Sequence, residues 1–330
     1  MKRNDTAPMP SGYDLIGDVH GCALTLFHLL EKLGYEKQAG VYRHPTRQLI
    51  LTGDLIDRGP RVREALHQVR EMVEAGAAQL VMGNHEYHAL CYCTPAKPGA
   101  EHAYLREHSP RHQAVIETTL EQFANHGADW HAFLDWFLSL PLFLELPGCR
   151  VVHACWDHAL IDQFQQQHGG NQLTSELLHQ SVKPHTLVYR LVNRLLHGLI
   201  LPLPDGNAIT GTDGVSRSHF RAKFWEEDPA TYADLLFQPD LLPANVAQRM
   251  ISQEHRARLL HYRTDEPPLF IGHYWRKGTP EIIRSNLACL DYSAVKFGSL
   301  VCYRFDGETL LDSAKFTWQT TELDQPLHHA

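Results

Sequence analysis

Gly53-Asp54-Leu55-Ile56-Asp57-Arg58-Gly59-Pro60 follows directly on the apolar run Leu49-Ile50-Leu51. The run reads as a buried strand. Pro60, with Val62, Ala65, Leu66, Val69, Met72 and Val73 behind it, opens an amphipathic helix. Two carboxylates and a guanidinium therefore sit on a turn at the carboxyl end of a strand, where open α/β sheets bind their ligands. Three more apolar runs end in glycine and a polar residue. Tyr13-Asp14-Leu15-Ile16 runs into Gly17-Asp18-Val19-His20-Gly21, Leu80-Val81-Met82 into Gly83-Asn84-His85-Glu86, and Leu269-Phe270-Ile271 into Gly272-His273. A fifth run, Arg150-Val151-Val152, ends in His153. Glycine at such a point lets the backbone turn sharply or come close to something bound. Taken singly, each turn reads as a helix cap or a tight turn. Five strand ends carrying this chemistry are not explained by packing.

Together these ends present Asp18, His20, Asp54, Asn84, His153 and His273. Mixed oxygen and imidazole donors suit a borderline divalent ion such as Mn, Fe, Zn, Co or Ni. Six side chains are too many for one catalytic metal that keeps a position open. They suit two ions sharing a bridging carboxylate, an arrangement built for in-line attack on phosphorus.

Composition narrows the alternatives. A chain of 330 residues holds one large α/β domain or a domain with a sizeable insertion. A net charge of −8 argues against a general nucleic-acid surface, so no nucleic-acid partner is expected and a nuclease is disfavoured. The 7 cysteines form no CxxC pair and read as free, buried thiols of a reducing compartment. No stretch approaches the roughly 20 apolar residues of a membrane span, and the start of the chain has no signal-peptide core. The expectation is a cytoplasmic protein with no membrane partner. His102, His108, His112, His126 and His131 lie in a polar helical region and carry no turn signature.

In chain order, the expected elements begin with a strand over 13–18 and a helix over 23–33. A hairpin over 41–51 would turn at His44-Pro45-Thr46-Arg47. The strands ending at residues 51 and 82 close a β-α-β step, so this part of the sheet should be parallel. Helices over 113–125 and 129–139 precede a β pair around Pro147-Gly148. From 157 to 268 polar helical segments alternate with Pro- and Gly-rich stretches, and no glycine-ligand turn is visible. That region reads as an insertion capping the site, within a single domain over 1–330 whose core is 13–156 and 269–318. Strands over 286–290, 299–305 and 309–316 follow, with Asp306-Gly307 marking a hairpin between the last two. The tail after Gln319 is expected to fray.

The sequences Gly17-Asp18-Val19-His20-Gly21, Gly53-Asp54-Leu55-Ile56-Asp57-Arg58-Gly59 and Gly83-Asn84-His85-Glu86 closely resemble the three signature motifs of the calcineurin-like metallophosphoesterases. Within that superfamily they look most like the branch of Ser/Thr protein phosphatases and symmetrical diadenosine tetraphosphate hydrolases. The resemblance covers 13–153 and 269–305. It implies an α/β fold, an αββα sandwich of two mixed sheets, with the metals at the strand ends and a largely helical insertion. It also implies roles. Asp18 and His20 would hold the first ion, Asp54 would bridge, and Asn84, His153 and His273 would hold the second. His85 would be the general acid, oriented by Asp57, and Arg58 would bind phosphate oxygens with its planar fork. His153-Ala154 stands where the protein phosphatases usually have His-Gly. No motif marks a second phosphate-binding cation; Arg217, Arg221, Lys223 and Arg276 are candidates. Arg221, in Arg221-Ala222-Lys223-Phe224-Trp225, is preferred.

The expected function is hydrolysis of phosphomonoesters, phosphoproteins included, by a metal-bridging hydroxide, with two divalent ions, manganese foremost. The alternative substrate is a dinucleoside polyphosphate such as diadenosine tetraphosphate. A non-catalytic scaffold would have lost ligand or acid positions, and here every one is filled.

Overall fold

A computed structural model describes residues 10–210, 216–237, 242–296 and 298–324. Its elements follow from the patterns above. Strand β1 (Gly12–Ile16) leads to helix α1 (Ala23–Lys32), then β2 (Arg47–Leu51), α2 (Val62–Glu74) and β3 (Ala78–Leu80). Helices α3 (Asn84–Cys93), α4 (Pro110–Gln122) and α5 (Gly127–Leu138) come next, then the pair β4 (Phe143–Leu146) and β5 (Cys149–Val152). Beyond them lie α6 (His158–His168), α7 (Ser175–Ser181), α8 (Leu187–His197) and the pair β6 (Leu199–Pro202) and β7 (His219–Ala222). The chain closes with β8 (Leu269–Ile271), β9 (Leu287–Cys289), β10 (Asp291–Tyr292), β11 (Ser299–Phe305) and β12 (Phe316–Thr320).

Two mixed sheets result. One runs β12-β11-β1-β2-β3, with β10 paired to the start of β11; the other runs β9-β8-β5-β4. The steps β1-β2-β3 and β5-β8-β9 are parallel, as the β-α-β reading requires. Period-two alternation then sorts each strand. Leu15, Ile50, Val151, Phe270, Ala288, Val301 and Tyr303 face one core between the sheets. Ile16, Leu49, Leu51, Val152, Ile271, Cys289 and Cys302 face a second core under the helices. That is the αββα sandwich. Phe164, Leu191 and Phe224 of the 157–268 segment belong to the same helix-side core as Leu26 and Leu66. All seven cysteines are free and all but Cys93 are buried. Among the described residues no helix is long and apolar enough to cross a membrane.

Three expected elements differ. Val41–Arg43 pairs with Glu36–Gln38 around Ala39-Gly40, both at positive φ, and not with 47–51. The buried run 47–51 is taken instead as a central strand between β1 and β3. The last strand is β12, not 309–316, because 307–315 forms a longer connection ending in a 3-10 turn over Ser313–Lys315. In the tail, Thr321–Asp324 forms a 3-10 turn, and 325–330 lies outside the described residues. Helix α1 has no side-chain cap of its own at Cys22. The Asp324 carboxylate supplies it, accepting from Leu24 N (3.2 Å), Thr25 N (2.8 Å) and Thr25 Oγ1 (2.6 Å). Asp324→Ala is expected to destabilise the protein by about 1–3 kcal/mol, since buried donors lose their acceptor. Urea unfolding measures it, and an unchanged midpoint would show that water replaces the cap.

Candidate active site

The strand ends of both sheets meet at one place. Val19 N and His20 N donate to Asp54 O (3.1 and 2.9 Å), and Gly21 N donates to Leu55 O (2.8 Å), so the first two turns are laced together. Gly272 N donates to His153 O (2.9 Å), which joins the turns of the other sheet. Two glycines are required by space. A Cβ on Gly83 would lie 2.3 Å from Asp54 N, and one on Gly272 would lie 2.1 Å from Asp18 Oδ1. His20, Asp54, Asp57, Arg58 and His273 all adopt positive φ. A non-glycine residue there costs of order 1–3 kcal/mol, and such strain gathers at functional sites.

Hydrogen bonds to backbone carbonyls orient the imidazoles. His20 Nδ1 donates to Ile56 O (2.8 Å) and His153 Nδ1 donates to Thr52 O (2.7 Å). Each Nε2 is therefore left with a lone pair facing the site, the usual arrangement of a ligating histidine. His20 Nε2 lies 3.6 Å from Asp54 Oδ2, and His153 Nε2 lies 3.5 Å from Asp54 Oδ1 and 3.0 Å from Asn84 Oδ1. His273 Nε2 is buried and has no hydrogen-bond partner among the described residues. Two groups of donor atoms form around Asp54: one with His153 and His273, one with His20 and His85.

Asp18 stands beside these groups, its carboxylate accepting from His273 N (3.2 Å). Burial, then the nearby Asp291 and Asp54, push its pKa well above the usual carboxylate range. Burial raises that of Asp54 too, but the adjoining His153, His85 and His20 and the bond from His85 N bring it below the usual carboxylate range. Burial keeps the rings of His20 and His273 neutral, aided by Arg58 and Arg221 respectively. Neutral lone pairs, an orphaned buried nitrogen and crowded carboxylates are the chemistry of a cation site, and the residues present fit divalent ions.

Asp57 Oδ2 accepts from His85 Nδ1 at 2.5 Å, and Asp57 Oδ1 accepts from Thr119 Oγ1 at 2.6 Å. Arg58, exposed, donates to His20 Nε2 (2.9 Å) and His85 Nε2 (3.0 Å) from the two arms of its guanidinium. Arg221 reaches the site from β7: its Nη1 donates to His273 O (3.2 Å) and its guanidinium lies 5.5 Å from the Tyr274 ring centre. The rival cations are engaged elsewhere, Lys223 with Glu226 (3.1 Å) and Arg276 with Glu281 (3.0 Å). Phe224 and Trp225 are buried and pack edge-on against Tyr274, so these aromatics support the site wall and do not face a substrate.

Three contributors carry no role in the sequence reading. Glu86 joins the second and third turns, with Oε2 accepting from Gly83 N (3.0 Å) and Asp54 N (2.9 Å) and Oε1 from Leu55 N (2.7 Å). Burial and the Asp54 charge raise its pKa to about 7. The i+3 spacing from Gly83 is a capping-box signal that could have found it. Thr119, from α4, carries no such signal. His197, the last residue of α8, sits 2.9 Å from His88 (Nε2 to Nε2), and its ring centre lies 6.3 Å from that of His273. Glu86→Gln should weaken metal binding by about 10–100-fold, the range for residues that support ligands, because an amide cannot accept on both arms. Metal titration by calorimetry tests this; wild-type affinity would show that the loops hold without Glu86.

A model of the calcineurin-like phosphoesterases matches residues 13–233. The bis(5'-nucleosyl)-tetraphosphatase PrpE [asymmetrical] of Halalkalibacterium halodurans is 50% identical over 141 residues, 42% of this chain and 54% of that protein. The symmetrical bis(5'-nucleosyl)-tetraphosphatase of Neisseria meningitidis is 31% identical over 139 residues, 42% of this chain and 41% of that one. This chain thus spans about half the length of the curated relatives it matches. A serine/threonine phosphatase structure from Saccharomyces cerevisiae overlays with a TM-score of 0.48 at 14% identity, covering 99% of this chain and 83% of that one. With the family model matching residues 13–233, most of the chain, and the motif residues gathered at the strand ends, the chain belongs to the calcineurin-like phosphoesterases.

Proposed function

We propose that this protein is a two-metal phosphohydrolase acting on dinucleoside polyphosphates. The observation that supports it most is Asp54, one carboxylate shared by two groups of ligand atoms. Asp18, His20 and Asp54 would hold one ion; Asp54, Asn84, His153 and His273 would hold the other. When bound, the ions supply an activated nucleophile and neutralise charge on the phosphoryl oxygens. Manganese suits the mixed donor set. Arg58 orients the phosphate, and Arg221 adds a second positive charge beside His273. His85, its Nδ1 held by Asp57, offers Nε2 to the leaving oxygen. Segment 157–268 acts as the cap that delivers Arg221 and His197 to the core.

Phosphomonoesters lead the sequence reading. The matched relatives are named as bis(5'-nucleosyl)-tetraphosphatases, and this favours bis(5'-nucleosyl) tetraphosphates as substrates. The test strips the protein of metal, restores manganese, and compares diadenosine tetraphosphate with a phosphopeptide and p-nitrophenyl phosphate. The dinucleotide is expected to have the highest kcat/KM, by roughly tenfold or more, a gap of about 1.4 kcal/mol in transition-state binding. ADP as the only product marks symmetrical cleavage; ATP with AMP marks asymmetrical cleavage. Turnover of the phosphopeptide alone would restore the monoester reading, and full turnover without metal would end the two-metal one.

A further inference from the structure

The chain leaving β8 passes through Gly272-His273 into the wall of a separate cavity. Trp275, Arg276 and Lys277 line one side of it, Tyr292, Ser293 and Lys296 another, and the free space is about 500 Å³. That volume lies within the range of small-molecule sites. No acidic residue is among its described lining residues, in a chain with a net charge of −8. The Lys277 and Lys296 ammonium groups approach the Trp275 ring, at 5.4 and 5.8 Å from its centre, and have no carboxylate partner among the described residues. Both lysines are exposed and Trp275 is half-buried, so the ring and the charges are open to a ligand.

Two chain connections tie this cavity to the active site. Trp275 is two residues beyond His273, within about 7 Å along an extended chain. Ser293 is two residues beyond the buried Asp291, whose carbonyl accepts from Arg276 N (2.9 Å). A flat aromatic surface flanked by two unpaired ammonium groups is the chemistry that holds a nucleobase and its phosphates. We propose that this cavity binds the nucleoside-phosphate part of the substrate remote from the bond that is cleaved. The inference rests on the dinucleoside polyphosphate reading above, because a short phosphomonoester would not reach the cavity.

The test uses Trp275→Ala and the double variant Lys277→Ala/Lys296→Ala in the manganese-loaded protein. For diadenosine tetraphosphate, KM should rise about tenfold or more in each, as loss of one stacking contact or of two phosphate contacts implies, with kcat little changed. Kinetics with p-nitrophenyl phosphate should stay at the wild-type level. An equal fall on both substrates, or no change on either, would overturn the proposal. Calorimetric binding of ATP separates its failure from that of the substrate reading. If the wild type does not cleave the dinucleotide, the substrate reading falls, and the cavity is still decided. ATP affinity weakened tenfold or more in both variants supports a nucleotide site. Unchanged affinity, or no ATP binding to the wild type, removes it.

Discussion

Asp54→Asn is expected to empty both metal positions and to lower kcat/KM by about 10³ or more, since each ion contributes several kcal/mol of charge stabilisation. Oδ1 of Asp54 lies 3.5 Å from His153 Nε2, and Oδ2 lies 3.6 Å from His20 Nε2. One residue thus faces both groups of donors, and neutralising it weakens both. The substitution suits the backbone. Asp54 sits at φ 54°, a region that asparagine tolerates well. An amide carbonyl can also keep the bond that Oδ1 accepts from His85 N at 3.0 Å. The variant should therefore fold like the wild type and fail at metal binding, which thermal unfolding and elemental analysis of the same sample will separate. Two ions retained at wild-type affinity would remove Asp54 from the bridging position.

The turns that build this site were legible because each joins an apolar run to a glycine and a ligand-type side chain. Burial on both faces makes such runs plain, and close backbone approach makes glycine obligatory, as at Gly83 and Gly272. What escaped the sequence depends on contacts between distant segments. His197 ends an amphipathic helix like any polar last residue, and only packing of α8 brings it beside His88 and His273. Thr119 orders Asp57 from 62 residues away. Asp324 caps α1 across 299 residues, so the tail looked loose only when read by itself. The hairpin expected over 41–51 failed for a related reason. Turn chemistry at His44-Pro45-Thr46 is real, but the apolar strand beyond it gains more by pairing with β1 and β3 than with its neighbour. The sequence marks Arg221 only as one of several cations, in a basic and aromatic stretch, and its contact with His273 is what distinguishes it from Lys223 and Arg276.

His85 is expected to act in catalysis and not in holding metal, although its Nε2 lies 3.8 Å from Asp54 Oδ2 and within reach of the donors around His20. The geometry that argues for an acid is on the other side of the ring. Nδ1 donates to Asp57 Oδ2 at 2.5 Å, and Asp57 is itself held by Thr119 through both its carboxylate and its backbone N–H. A carboxylate can only accept from Nδ1, so Nε2 is the nitrogen that faces the substrate. A histidine held by a buried carboxylate is positioned to carry and deliver a proton at that atom once Arg58, which donates to Nε2 here, turns to the phosphate. His85→Asn should then lower kcat by about 10²–10⁴, the usual contribution of general acid catalysis, while both ions stay bound. The loss should depend on the leaving group. p-Nitrophenolate departs without a proton, so the aryl ester should lose far less than an alkyl phosphate, whose alkoxide needs one. Rates for both kinds of substrate, measured on the same preparations with metal content determined, make the comparison. A missing ion would make His85 a ligand, and an equal loss on both kinds of substrate with both ions bound would remove it from the role of acid. A near-zero effect would leave it as the second residue of α3, with its backbone N–H on Asp54 and no part in the chemistry.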